Sequence, residues 1–191
     1  MMIRTATCML AAAIALSGCA TMAPMSAAAG ESLSYVGGAA MYPTKTIVEN
    51  AVNSPEHTTL VAAVKAAGLV DTLSGAGPFT VFAPTNAAFA KLPAGTVDTL
   101  LLPQNMAMLQ SVLTYHVVPG RITADDLMRM IAAGGGQAQL TTVQGGTLTA
   151  RMMGDRVMLT DAKGGMSHVT QANVMQSNGV IHVVDSVVLP G

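Results

Sequence analysis

The stretch from Val180 to Leu189, VIHVVDSVVL, carries large aliphatic side chains on both faces of any strand it could form. A strand that is apolar on both sides needs cover on both sides, which places it in the middle of a sheet. Upstream of it, from Gly136, the chain is punctuated by Gly145-Gly146, Gly154-Asp155, Gly164-Gly165 and Asn178-Gly179. These turn signals predict a β meander leading into the central strand, and Asn178-Gly179 is the strongest hairpin signal among them.

The region before the meander reads mainly as helix. Ile47, Val48 and Ala51 stand at helical spacing. Ser54, Pro55 and Glu56 then predict an N-cap, a first position and a first turn for a second helix, whose stripe is Leu60, Val61, Val64 and Ala67 and whose end is Gly68. The stretch FTVFAP, 79–84, reads as a buried strand, and Thr85 as the N-cap of a short helix carrying Phe89. Further helical pattern covers GTVDTLL and NMAMLQSVL, followed by strand-like TYHVV and a turn at Pro119-Gly120. Thr123 with Asp126 approximates a capping box for a helix with Leu127, Met130 and Ile131 on one face.

Composition narrows the class. Hydrophobic residues make up 51% and charged residues 10% of the 191, which excludes a disordered chain and suits one domain after processing. The formal net charge is −1 and no Lys/Arg cluster exists, so nucleic acid and anionic membrane surfaces are not expected partners. No nucleophile elbow, phosphate loop or HExxH motif is present, and an enzyme is not expected. His57, His116, His168 and His182 are scattered. His168, His182 and Asp185 could be drawn together on neighbouring strands, but residues 182 and 185 point to opposite faces of one strand, and no metal site is expected. Asp125 and Asp126 suit the first turn of a helix. Of the 15 methionines, nine fall from Met106 onward. Thioethers bind Cu(I), yet Met106/Met108 and Met128/Met130 cannot share one helix face, which argues against copper. The expectation is that methionine fills the core in place of scarce aromatics, the alternative being a mouldable apolar-ligand surface.

The N-terminus marks export. Arg4 supplies a positive start, and Met9 to Leu16 an apolar run too short to span a bilayer. Leu16-Ser17-Gly18-Cys19 resembles the bacterial lipobox, which implies a signal peptide over 1–18 and acylation of Cys19 as the first mature residue. Cys8 falls in the leader, so no disulfide is expected, and acylation accounts for the remaining thiol. By that resemblance, Ala20 in place of an aspartate favours the outer membrane, with the periplasm or secretion as the alternative. Residues 19–42, rich in small and Gly/Pro residues, read as a flexible tether.

Three stretches in order carry a family resemblance: FTVFAPTNAAFAKLP resembles the first signature of the fasciclin (FAS1) domain, YHVVPG its central Tyr-His motif, and NGVIHVVDSVVLP its second signature. The resemblance covers 43–190. It implies an α+β domain, a twisted, wedge-like β-sandwich flanked by short helices, with the two signatures as neighbouring core strands. On that reading Phe79, Phe82, Phe89, Ile181 and His182 are structural. Tyr115 and His116 match the motif that animal members use in receptor recognition, although a buried, hydrogen-bonded pair is the expectation here. The family implies a non-enzymatic adhesion or interaction module with a protein or matrix partner. The alternative is a binder of small apolar molecules, carotenoid or lipid-like, at the envelope, with the membrane reached only through the lipid anchor and no cofactor required.

Overall fold

The computed structural model describes residues 33–93 and 95–191. The leader expected at 1–18, Cys19 and the first part of the expected tether lie outside the described residues. The last part of that tether is not a linker. Ser34–Val36 (β1) and Ala39–Met41 (β2) pair as an antiparallel hairpin, and Val36 and Met41 are buried in the same core as the helices that follow. The small residues are there because Gly37 and Gly38 both take positive φ in the turn.

Ile47–Asn53 (α1) is opened by a capping box between Thr46 and Glu49. Ser54 does not cap the next helix. It precedes a 3₁₀ turn, Pro55–His57, and its hydroxyl is hydrogen-bonded to His57 Nδ1 at 2.9 Å, so Thr58–Ala66 (α2) starts one turn later than the sequence predicts. Val70–Ser74 (α3) completes this group, and Phe79–Pro84 (β3) follows. Thr85 Oγ1 accepts the Ala88 N–H at 3.3 Å and opens Asn86–Ala90 (α4). Thr96–Leu100 (α5) and Met106–Tyr115 (α6) come next. The stretch expected as strand from Thr114 enters the strand Val117–Pro119 (β4) only at Val117. Burial of Leu109, Val112 and Leu113 continues the helical period through Tyr115. Ala124–Ala133 (α7) has the Thr123/Asp126 capping box, with Leu127 and Ile131 buried and Met130 left exposed.

The meander runs Gln137–Thr141 (β5), Thr147–Met153 (β6), Arg156–Thr160 (β7), Met166–Gln176 (β8) and Gly179–Val184 (β9). Among the described residues one seven-stranded sheet has the order β4-β3-β9-β8-β7-β6-β5. Its pairs are antiparallel except β3 with β9, which are parallel with Phe79 opposite Gly179 and Phe82 opposite His182. All six residues of β9 are buried. Two apolar clusters explain that: Val81, Ala83, Ile181 and Val183 face α1, α2, α3 and α6, while Phe82 and Val184 face α7 and the inner side of the meander. Strand β8 serves both clusters, Val169 in the second and Val174 in the first. It changes sides through two register shifts, where Asn173 takes φ 58° and its side-chain oxygen accepts the Ala124 N–H at 2.7 Å. The domain is α+β, a curved sheet flanked by short helices.

Two sequence expectations are corrected here. The β8–β9 loop is Ser177-Asn178, with Gly179 already paired to Gln176. Methionine is not core filler either. Of the ten described methionines only Met41 is buried, and the strands and helices carry the others on half-exposed or exposed positions.

Candidate functional site

Tyr115 ends α6 and His116 is its C-cap, and both are buried, at 0% and 2% exposure. The Tyr115 hydroxyl donates to Thr147 O at 2.7 Å and accepts the Ala162 N–H at 3.2 Å. It thereby ties the helix to the start of β6 and to the β7–β8 loop. The ring occupies the space beside Gly146, where an added Cβ would lie 2.7 Å from Cε2. His116 Nδ1 lies 2.8 Å from Val112 O and Nε2 lies 3.2 Å from the Val188 amide. A carbonyl can only accept and an amide N–H can only donate, so the imidazole is neutral with its proton on Nδ1. Burial pushes its pKa down to about 4 and, by the same cause, pushes the Tyr115 phenol up. Every polar atom of the pair is thus spent on backbone, and neither side chain faces solvent.

The other signature residues divide between the two clusters. Phe82 and His182 are both wholly buried and stacked, with ring centroids 5.6 Å apart. His182 Nε2–H donates to Ile122 O at 2.8 Å, while Nδ1 has no partner, and burial lowers the pKa. Phe79 and Phe89 are only half-buried, against the first cluster, and Ile181 is buried within it. His57 is buried as well, its pKa lowered by desolvation.

His168 differs from the other three histidines. It sits on the outer face of β8, its Nδ1 3.6 Å from Asp185 Oδ2, while its backbone N–H donates to Asp185 Oδ1 at 2.8 Å. Lys91 Nζ reaches the same carboxylate at 3.3 Å. Structure therefore brings His168 and Asp185 together and leaves His182 on the buried side. Among the described residues no three His, Cys, Asp or Glu side chains gather as a metal site would need.

Several polar residues that hold the fold give no signal in the sequence. Asn178 Oδ1 accepts the Ile47 N–H at 3.0 Å, and its Nδ2 donates to Leu73 O at 2.8 Å and Gly75 O at 3.1 Å. Asn86 in the first signature accepts the Thr59 N–H at 3.0 Å and donates to Pro55 O at 2.9 Å. Asn50 exchanges two bonds with the Tyr42 backbone, at 3.0 and 2.7 Å, and also donates to Gln176 Oε1. What these asparagines share is a partner distant in sequence or across a turn, and no local pattern announces that.

The enclosed apolar space is small. A cleft between α1, α2, α3 and β3, lined by Val48, Leu60, Val64 and Val81 among others, has a volume of about 30 Å³. That is room for one or two water molecules.

Comparison with known proteins gives a consistent picture. The fasciclin domain model matches residues 55–190. Protein sll1483 of Synechocystis sp. (strain ATCC 27184 / PCC 6803 / Kazusa) is 48% identical over 160 residues, covering 84% of this chain and 82% of that protein. The cell surface glycolipoprotein MPB83 of Mycobacterium bovis is 35% identical over 160 residues, covering 81% of this chain and 64% of its own. Among solved structures, a FAS1 domain pair from the insect cell adhesion molecule fasciclin I superposes with a TM-score of 0.68 at 20% identity, over 78% of this chain and 52% of that one. With the two signature strands adjacent and parallel inside the sheet, and the family model spanning most of the folded residues, the chain belongs to the fasciclin domain family.

Proposed function

We propose that this protein is an exported, non-enzymatic fasciclin-domain module, held at the cell envelope through acylated Cys19, that works by docking to a protein or matrix partner. The observation that carries this reading is family membership: a relative is named a cell surface glycolipoprotein, and the matching solved structure comes from a cell adhesion molecule. Side-chain placement supports it. The polar side-chain atoms of the Tyr115-His116 motif are consumed by backbone bonds, whereas Met108, Met153, Met166 and Tyr35 are more than half exposed and offer deformable apolar contact area. Among the described residues no helix is long and apolar enough to cross a membrane, so membrane attachment on this reading rests on the acyl chains.

Carriage of a carotenoid or lipid would need far more apolar space than about 30 Å³, and is tested in the same experiment. The wild-type protein is isolated from detergent-extracted membranes beside Cys19→Ala, and both are assayed for acyl mass and for adhesion to envelope or matrix extracts. The expected result is acyl mass on residue 19, release of the variant into the soluble exported fraction, and loss of adhesion by cells carrying it. Wild type without acyl mass sinks the anchor. Coloured or lipid material co-purifying in stoichiometric amount with the soluble variant replaces docking by ligand carriage.

A further inference from the structure

Helical spacing keeps Met106 from Met108 and Met128 from Met130, but the meander brings two other methionines close to a histidine. On β7 and β8, Met158 is directly opposite His168, and Met166 stands two residues before His168 on the same strand. Their chain neighbours Val157, Leu159, Ser167 and Val169 are all buried, so these three side chains project from the opposite, outer face of the sheet. Directly paired Cβ atoms lie about 4.5–5.5 Å apart and diagonal ones about 7–8 Å. Flexible thioethers on such a triangle can turn toward one point above the imidazole. Met166 is 60% exposed and the His168 side chain 36%, so the point is open to solvent.

Two further features suit a metal rather than a bare surface. His168 Nδ1 faces Asp185 Oδ2 at 3.6 Å, which aims Nε2 away from the carboxylate. A carboxylate behind an imidazole is the usual way a ligating histidine is oriented. On the other side of Met158, Arg151 is its direct partner on β6, but its guanidinium donates to Gln137 Oε1 at 2.7 Å, toward β5. Lys91 on Asp185 and Arg156, two residues before Met158 on the same face, keep the surroundings cationic, which disfavours a divalent ion. Two neutral soft sulfurs and one imidazole select Cu(I) over Zn²⁺, Ca²⁺ or Mg²⁺.

We propose that Met158, Met166 and His168 form a surface Cu(I) site on the outer face of β7 and β8, with Asp185 positioning the imidazole. The site is independent of Cys19 and shares only Met166 with the exposed apolar area offered to docking.

The test is anaerobic titration of the full mature protein against Cu(I) held by bicinchoninate, followed by X-ray absorption of the copper-loaded wild type. Wild type is expected to withdraw one Cu(I) per chain, with sulfur and imidazole in the first coordination sphere. Met158→Leu with Met166→Leu, or His168→Ala, should abolish that withdrawal. Asp185→Asn should weaken it by about 10–100-fold, the usual effect of losing a partner behind a ligating histidine. Met108→Leu with Met128→Leu, on α6 and α7, should leave it unchanged. All substituted side chains are on the surface, and thermal melts verify folding. Failure of the wild type to take Cu(I), a sulfur-free coordination sphere, or undiminished binding by the Met158/Met166 pair variant each overturns the proposal.

Discussion

His116 shows how one side chain can join three segments. Its two ring nitrogens hold Val112 in α6 and Val188 in the C-terminal stretch, and its own carbonyl accepts the Phe82 N–H at 2.9 Å. Truncation to alanine orphans a buried amide and a buried carbonyl, each costing about 1–3 kcal/mol when left unmade. His116→Ala is therefore expected to lower the urea midpoint by the equivalent of about 2–6 kcal/mol, and any loss of adhesion should track the loss of folded protein. A variant of wild-type stability that no longer adheres would make the motif a recognition site. Asn178→Ala should cost at least as much, because one side chain there serves Ile47, Leu73 and Gly75. Unaltered stability of that variant would mean that solvent replaces all three bonds.

At the scale of elements, the parallel contact between β3 and β9 joins residues a hundred apart and is the seam on which both apolar clusters meet. Phe82 fills the second cluster beside His182, and Phe82→Ala is expected to destabilise by about 3–5 kcal/mol, measured by chemical denaturation. An unchanged midpoint would remove it from the core. The seam also depends on Gly179, where an added Cβ would lie 2.0 Å from Phe79 O. Backbone cannot yield there as a flexible side chain could, so Gly179→Ala should open the end of the β3–β9 ladder. Amide exchange at Thr80 and Ile181 reads this directly, and protection equal to wild type would count against it.

For the whole molecule, the decisive charge effect is the burial of three neutral histidines. Desolvation holds the pKa of His57 and His182 below the ordinary 6.5 and brings His116 to about 4. The unfolded chain then binds more protons than the folded one below pH 6.5, so stability is fully present above that value and is lost as pH falls toward the folded pKa. His116 alone contributes about 3 kcal/mol across this window, at about 1.4 kcal/mol per pH unit. Burial raises the pKa of Asp185, but bonds from His168 and Lys91 outweigh it, and the capping carboxylates Glu49 and Asp126 are lowered by Thr46 and Thr123. Those groups lose their contribution only at still lower pH. The denaturation midpoint is expected to drop between pH 7.5 and 4.5, less steeply in His116→Ala. Equal midpoints at the two pH values would show that the histidines are solvated in the folded state.

The sequence by itself determined the elements and their class. Apolar runs on both faces of 180–184 and around Phe82 require central strands, glycine turns require a meander, and the Thr123/Asp126 box requires a helix start, because each is a local matter of period, cap or backbone freedom. Tertiary structure decided what those elements touch. Gly37-Gly38 reads as linker composition until Val36 and Met41 are seen in the core, and Asn178-Gly179 reads as a turn until the Asn side chain is seen holding three backbone groups from other segments. The same holds for the methionines: spacing along a helix separates Met128 from Met130, while strand register sets Met158 against His168. Register is a long-range choice among pairings of similar local energy, fixed by which face each strand must bury, and a chain read one window at a time does not contain it.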